Sequence, residues 1–204
     1  MKGLLLKNFK NIVPTIAYYA FFMVIFYVVC ILSKNIIYFS SVSVVLGISV
    51  PTSSYMVDEK DNWDKFVLAA GITKNQVVRS RYLFTIMLLL ALWVLSAILI
   101  FILPVGERTE NVIIFLLFGG IGLVMVSFML PLEHKYGADK SRIVLLVLVV
   151  AGVFICTFLG TMLNSGNVAI SLTVRLAVGI FVVGMAAIGI SLFVTQKIYE
   201  RKDF

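Results

Sequence analysis

Apolar residues run along this chain in six long blocks, approximately 13–32, 36–56, 82–103, 112–132, 143–163 and 174–194, with charge concentrated between them. A helix rises about 1.5 Å per residue, so a block of roughly 20 residues crosses the ~30 Å of hydrocarbon in a bilayer. Each block predicts one transmembrane helix. Barrel strands would run to about ten residues and alternate strictly between apolar and polar, which these blocks do not. Only Ser33-Lys34-Asn35 separates the first two blocks, predicting an antiparallel hairpin. Within the second, Gly47 and Pro51 loosen or kink the helix.

The longest polar interval, 58–81, carries a pattern of its own. Trp63, Phe66, Val67 and Ala70 fall at i, i+3, i+4 and i+7, one stripe of a short helix with Asp61, Asp64 and Lys65 on its remaining surface. Asp61 and Lys65 stand four apart, acid first, the favourable order. Gly71 is placed to end that helix in a left-handed conformation. Thr73 then caps a second helix, Gln76 reaches back to it, and Ile72 and Val77 occupy the hydrophobic-staple positions. The second helix carries Arg79 and Arg81 straight into the third apolar block. A smaller polar turn, Glu133 to Arg142, repeats the logic: Gly137 ends one helix and Asp139 caps the next.

Small residues mark helix contacts. Gly119 and Gly120 in the fourth block permit close approach or local bending, and Gly152, Cys156 and Gly160 recur every fourth residue along the fifth. At the N-terminus, Leu5, Phe9 and Ile12 share one helical side opposite Lys7 and Lys10. Residues 1–12 are therefore either an amphipathic helix in the membrane boundary before Pro14 opens the first span, or a frayed basic terminus. The interval 164–173 reads as a plain loop or a short re-entrant element, and 195–204 as a charged tail.

Composition fixes the class. With 61% hydrophobic and 13% charged residues in 204 and a mean hydropathy of +1.08, the chain is predicted to be an all-α integral membrane protein of six transmembrane helices in a single domain. Its net charge of +7 does not point to nucleic acid, because of where the charge sits. Of the 17 Lys and Arg, only Lys34, Arg108 and Arg175 fall on the side opposite both termini. The positive-inside rule then places both termini in the cytoplasm. The first apolar run is full length and leads directly into a second, so no cleavable signal peptide is expected. Cys30 and Cys156 lie within spans as small apolar filler, without disulfide or metal spacing.

The chemistry of self-powered transport is missing. The spans hold no Asp, Glu, Lys or His, and Arg175 lies at the edge of the sixth, so an engine driven by protons or charge at membrane depth is not expected. No G-x-x-x-x-G-K-[ST] loop cradles a nucleotide. His134 is the single histidine and has no metal-ligating neighbours in sequence. No catalytic and no metal-binding residue is assigned.

The polar patches resemble a known family. Asp58-Glu59-Lys60-x-x-Trp63-Asp64-Lys65-Phe66, followed by Gly71-Ile72-Thr73-Lys74 and Ser80-Arg81-Tyr82, resembles the first cytoplasmic loop of small permeases of type-2 ATP-binding-cassette (ABC) exporters. Lys135-Tyr136-Gly137-x-x-Lys140-x-Arg142 resembles their second loop, and Ile198 to Phe204 their ending. Ala69-Ala70 departs from a Leu-Pro turn frequent in relatives. The resemblance implies a permease without ATPase activity of its own, in a bacterial cytoplasmic membrane, paired with an identical or related permease. Two copies of a separate ATPase subunit would power it and bind the ATP and magnesium. The region from Glu59 to Ala70 would be the coupling helix docked on that ATPase, with Trp63, Phe66 and Val67 as anchors, Glu59, Asp64 and Lys65 as polar rim, and Lys60 and Ala70 at its ends. Tyr136, Gly137, Asp139 and Lys140 would form a second contact. Hydrophobic or amphipathic peptides or drugs are the expected substrates. The alternatives are a coupling region resting on lipid headgroups, a membrane scaffold without a transport cycle, and an intramembrane enzyme using His134 or a tyrosine.

Overall fold

A computed structural model of the chain describes residues 2–34, 36–102, 108–144, 146–147 and 170–201. Every regular element among these residues is a helix: α1 (Lys2–Ser33), α2 (Ile37–Lys60), α3 (Trp63–Ala69), α4 (Lys74–Ile102), α5 (Arg108–Tyr136) and α6 (Ile170–Glu200). All but α3 are long and apolar enough to cross a membrane. A further helical stretch begins at 138 and is described to 144. Most of the fifth predicted span, with Gly152, Cys156 and Gly160, and the interval 164–169 lie outside the described residues.

Two helices depart from the boundaries that hydropathy predicts. The N-terminal residues and the first apolar block form one helix with Pro14 inside it. At 32 residues, α1 is about 48 Å long, well over the hydrocarbon thickness, so its first turns stand outside the apolar layer. Its most buried side there is Leu4, Asn8 and Ile12, while Leu5 packs against Ile12 and Phe84, and Phe9, 40% exposed, meets the Phe84 ring edge-on at 5.1 Å. The reason is a polar anchor that hydropathy ignores: Asn11 donates to the Asp58 carboxylate at 2.7 Å, and Ser54 Oγ donates to the Asn8 carbonyl at 3.4 Å. Likewise α2 runs on past Met56 to Lys60.

The core draws on all six of these helices. Leu4 of α1, Ile48 of α2, Val67 of α3, Val77 and Val78 of α4, Leu130 of α5 and Tyr199 of α6 belong to one buried cluster. Outside it, large apolar side chains such as Phe21, Phe101 and Phe193 are exposed, as lipid-facing surface requires.

Glycine sets the distance between α5 and α6. A Cβ on Gly120 would lie 2.8 Å from the Phe181 backbone nitrogen, and one on Gly184 would lie 2.9 Å from the Gly120 carbonyl oxygen. Close backbone approach is what small residues at a membrane helix contact permit. Below this crossing, Pro131 has no N–H to give to the Ser127 carbonyl. Ser191 Oγ of α6 donates to that carbonyl instead, at 2.6 Å. Tyr82 of α4 joins through its hydroxyl, 2.6 Å from Ser191 Oγ and 2.7 Å from Thr195 Oγ1. The spans are apolar in composition, yet three of them share one hydroxyl network.

Gly120→Ala is expected to lower unfolding stability by about 1–3 kcal/mol, because backbone on the facing helix must move. Gly179→Ala, with nothing within 4 Å of the new methyl group, should be neutral or slightly stabilising. Thermal unfolding of both variants in detergent separates the two outcomes.

Candidate functional site

The polar interval 58–81 folds as a ledge at the end of the bundle that carries both termini. Its first turn is unlike the expected continuous helix from Glu59 to Ala70. The chain leaves α2 at Asp61, and Asn62 adopts φ +50°, a left-handed conformation that asparagine tolerates. Only then does α3 start, at Trp63. Glu59 and Lys60 therefore belong to the end of α2, and Asp61 and Lys65 do not share a helix.

The exit from α3 and the entry to α4 follow the side-chain chemistry. Gly71 has φ +83°. Its N–H bonds the Leu68 carbonyl at 3.0 Å, and the Ile72 N–H bonds the Val67 carbonyl at 3.2 Å, the paired bonds of a Schellman motif. Thr73 Oγ1 then accepts from the Gln76 N–H at 3.4 Å, and Gln76 Oε1 accepts from the Thr73 N–H at 3.3 Å, closing a capping box. Ile72 and Val77 pack into the same core cluster as Val67. The elbow is held at both sides.

Behind the ledge lies a charged cluster centred on Arg81, which is buried. One guanidinium nitrogen, Nη2, donates to Asp64 of α3 at 2.7 Å and to Asp58 of α2 at 3.1 Å. The other, Nη1, lies 3.1 Å from His134 Nε2 of α5. The guanidinium also sits over the Tyr55 ring, 4.4 Å from its centroid. His134 Nδ1 is 2.8 Å from the Leu130 carbonyl, which can only accept, so the ring proton is on Nδ1 and Nε2 accepts from Arg81. His134 is thus a neutral, wholly buried member of the cluster, with the Tyr55 and Tyr199 rings at 5.3 and 5.4 Å. Lys7 of α1 completes the set by pairing with Asp58.

Electrostatics keep this arrangement charged. Burial works against the Arg81 charge, but Asp64 foremost among the anions, with Asp58, outweighs it and holds the guanidinium above its ordinary range. For Lys7 burial wins, lowering the ammonium from its ordinary value although Asp58 opposes the shift.

The second polar turn docks on the first. Gly137 has φ +86°, and its Cα faces the Glu59 carboxylate so closely that a Cβ would collide with it. Glu59 Oε2 accepts from the Ala138 N–H at 2.9 Å, a charge-assisted bond at the start of the next helix. The expectation that Asp139 caps this helix is corrected: Asp139 already lies inside it, and the capping carboxylate comes from α2.

Other expected roles also change. Val67 is 1% exposed and spent on the core, so it is not free to anchor a partner. Asp64 faces inward to Arg81 and Glu59 reaches to Ala138, so neither is simple rim. Phe66 stands 64% exposed, off the buried stripe, with the half-buried Trp63 ring 5.4 Å from it. The Lys7 ammonium lies over the Trp63 ring, 4.7 Å from its centroid. Lys60, Lys65, Ala70, Tyr136, Asp139 and Lys140 are exposed, and Gly137 is buried. Sequence reasoning gave no part in a buried charged cluster to Lys7, Tyr55, Asp58, Arg81, His134 or Tyr199. Arg81 carried the one usable signal, a basic residue at the very base of an apolar block.

A ledge clamped to four helices, with an aromatic side chain left in the open, is the frame in which the comparisons with known proteins fall. The model of the ABC-2 family transporter protein family matches residues 3–200, nearly the whole chain. The chain belongs to the ABC-2 transporter family. It is a multi-pass membrane permease of an ABC transporter, and its family implies a partnering ATPase. Among curated proteins and solved structures, none matches the chain. The permease has no group of three or more His, Cys, Asp or Glu arranged to hold a metal ion among the described residues.

Arg81→Ala in this permease is expected to cost about 3–5 kcal/mol, since it leaves two buried carboxylates without their cation. Arg81→Met combined with Asp58→Asn and Asp64→Asn should recover much of that loss. Urea unfolding in detergent, run as a cycle of these variants, measures the coupling.

Proposed function

We propose that this permease forms, with a second identical or related permease, the export pathway of an ABC transporter driven by two copies of a separate ATPase subunit. The termini and the ledge would face the cytoplasm, in agreement with the distribution of Lys and Arg. In this reading α3 is the coupling helix, reduced at its outer face to Phe66, with Trp63, Lys65 and Ala70 beside it, while Tyr136, Asp139 and Lys140 offer a second contact. Nucleotide and magnesium would be held by the ATPase.

The observation that carries this reading is the Asp64–Arg81–Asp58 chain. It ties α3 to α2 and α4 through buried, charge-assisted bonds, so a displacement of α3 is passed to two spans rather than absorbed by a loose loop. ATP-driven movement of the ATPase pair would pull on the ledge and shift the population of span arrangements. The apolar, aromatic-rich span surfaces fit hydrophobic or amphipathic substrates, peptides or drugs.

Phe66→Ala tests the docking surface without touching the core. Copurification of the ATPase subunit and its stimulation by the permease should fall roughly tenfold, about 1.4 kcal/mol for one exposed aromatic anchor. Phe193→Ala, on the lipid-facing side of α6, should leave both unchanged. Equal ATPase binding and stimulation by Phe66→Ala and the unaltered chain would sink the coupling role. An ATPase that is bound yet never stimulated by amphipathic peptides or drugs would refute the substrate class.

A further inference from the structure

Charge counting in the buried cluster leaves one carboxyl over. Lys7 and Arg81 supply two cations, and their ion pairs are with Asp58 and Asp64. His134 accepts from Arg81 and is neutral. Glu133 stands beside these groups, 1% exposed, and forms no ion pair among the described residues. Its Oε1 has no hydrogen-bond partner there either. The Thr52 hydroxyl hydrogen-bonds the carboxyl, sharing its single proton with the Ile48 carbonyl 2.8 Å away.

A second unpartnered group points into the same space. Asn8 Nδ2 is buried without an acceptor, and Asn8 and Glu133 line one small cavity together with Ser54, Asp58, Arg81 and Thr85. A donor on one wall and an acceptor on another suit a bound water. They do not suit a metal ion: Arg81 and the Asn8 amide bring positive ends to the cavity, and the Thr85 hydroxyl donates to the Arg81 carbonyl at 2.9 Å.

We propose that Glu133 is a proton-binding site of this permease, occupied when the ends of α1, α2, α4 and α5 are packed as described and vacated when they separate and admit water. The site does not depend on which protein grips α3. The charged and titratable groups around it are Lys7 of α1, Tyr55, Asp58 and Glu59 of α2, Asp64 of α3, Arg81 and Tyr82 of α4, His134 of α5, Arg142 in the helix after Gly137, and Tyr199 of α6. Glu133 lies one residue past the fourth apolar block. Burial, opposed by Thr52, Arg81 and Arg142, pushes its carboxyl up to about 7 from 4.5. A raised acid binds its proton more tightly in the folded state. Its stabilising effect is therefore complete below about pH 4.5 and is lost as pH rises through about 7.

Thermal unfolding of the purified full-length permease, unaltered and as Glu133→Gln, across about pH 4 to 8.5 in sodium, potassium and choline chloride tests the site. The two should unfold together at the acid end. Toward about pH 8 the unaltered chain should fall below Glu133→Gln by on the order of 5 °C, in all three salts. Infrared pH-difference spectra should show a protonated carboxyl band that disappears over the same interval and shifts when glutamate alone is carbon-13 labelled. Where Glu133→Gln does not fold, a labelled band that titrates near 7 still marks the buried glutamate, because the exposed glutamates lose their protons well below that pH. A pH-independent offset between the two chains, or no glutamate band, overturns the proposal. A pH dependence that sodium or potassium abolishes and choline preserves would assign the site to an alkali cation and overturn it equally.

Discussion

A guanidinium buried at the mouth of a membrane bundle cannot stand alone, and the terminal end of this protein is built around satisfying it. Arg81 sits at the base of α4, where water is scarce and an unpaired charge would cost several kcal/mol. It draws Asp58 from the end of α2, Asp64 from α3 and the His134 ring from α5. Lys7 of α1 then balances the second charge brought by Asp58. Five helices are placed by one cation and its partners, and the ledge sits where it does because Asp64 belongs to both.

The same demand, that buried polar groups find partners, explains the departures from regular helix. Pro131 frees a carbonyl, and Ser191 from α6 supplies the missing donor. The break at Gly137 leaves the N–H of Ala138 open, and Glu59 from α2 accepts from it. Both of these irregularities are met by a side chain from another helix. These repairs fix the relative position of α2, α5 and α6 more tightly than apolar contact alone, which in lipid carries no large preference between neighbours.

For a permease whose family implies a partnering ATPase, such rigidity at one end is useful. Polar bonds are directional and lose their strength within a fraction of an ångström, so a ledge held by them moves with its spans or breaks away from them. The lipid-facing surfaces carry no comparable constraint, consistent with motion concentrated in how whole helices are arranged.

Hydropathy alone determined the class of this protein and the number of long apolar segments, because a helix that satisfies its own backbone needs nothing beyond length and composition to be recognised. The elbow was legible for a similar reason: Gly71, Thr73, Gln76, Ile72 and Val77 act on neighbours within five residues, and each local bond that they predict is present. What failed was the assignment of partners. Phe66 and Val67 share a periodic stripe, yet one is exposed and the other buried, since the neighbours of α3 come from residues 4, 77, 78 and 199. The capping of Ala138 by Glu59, 79 positions earlier in the chain, and the gathering of Lys7, Asp58, Arg81, Glu133 and His134 leave no periodic trace. Only the tertiary structure brings such groups together, because charge pairing depends on distance in space, which sequence spacing encodes within one helix and not between five.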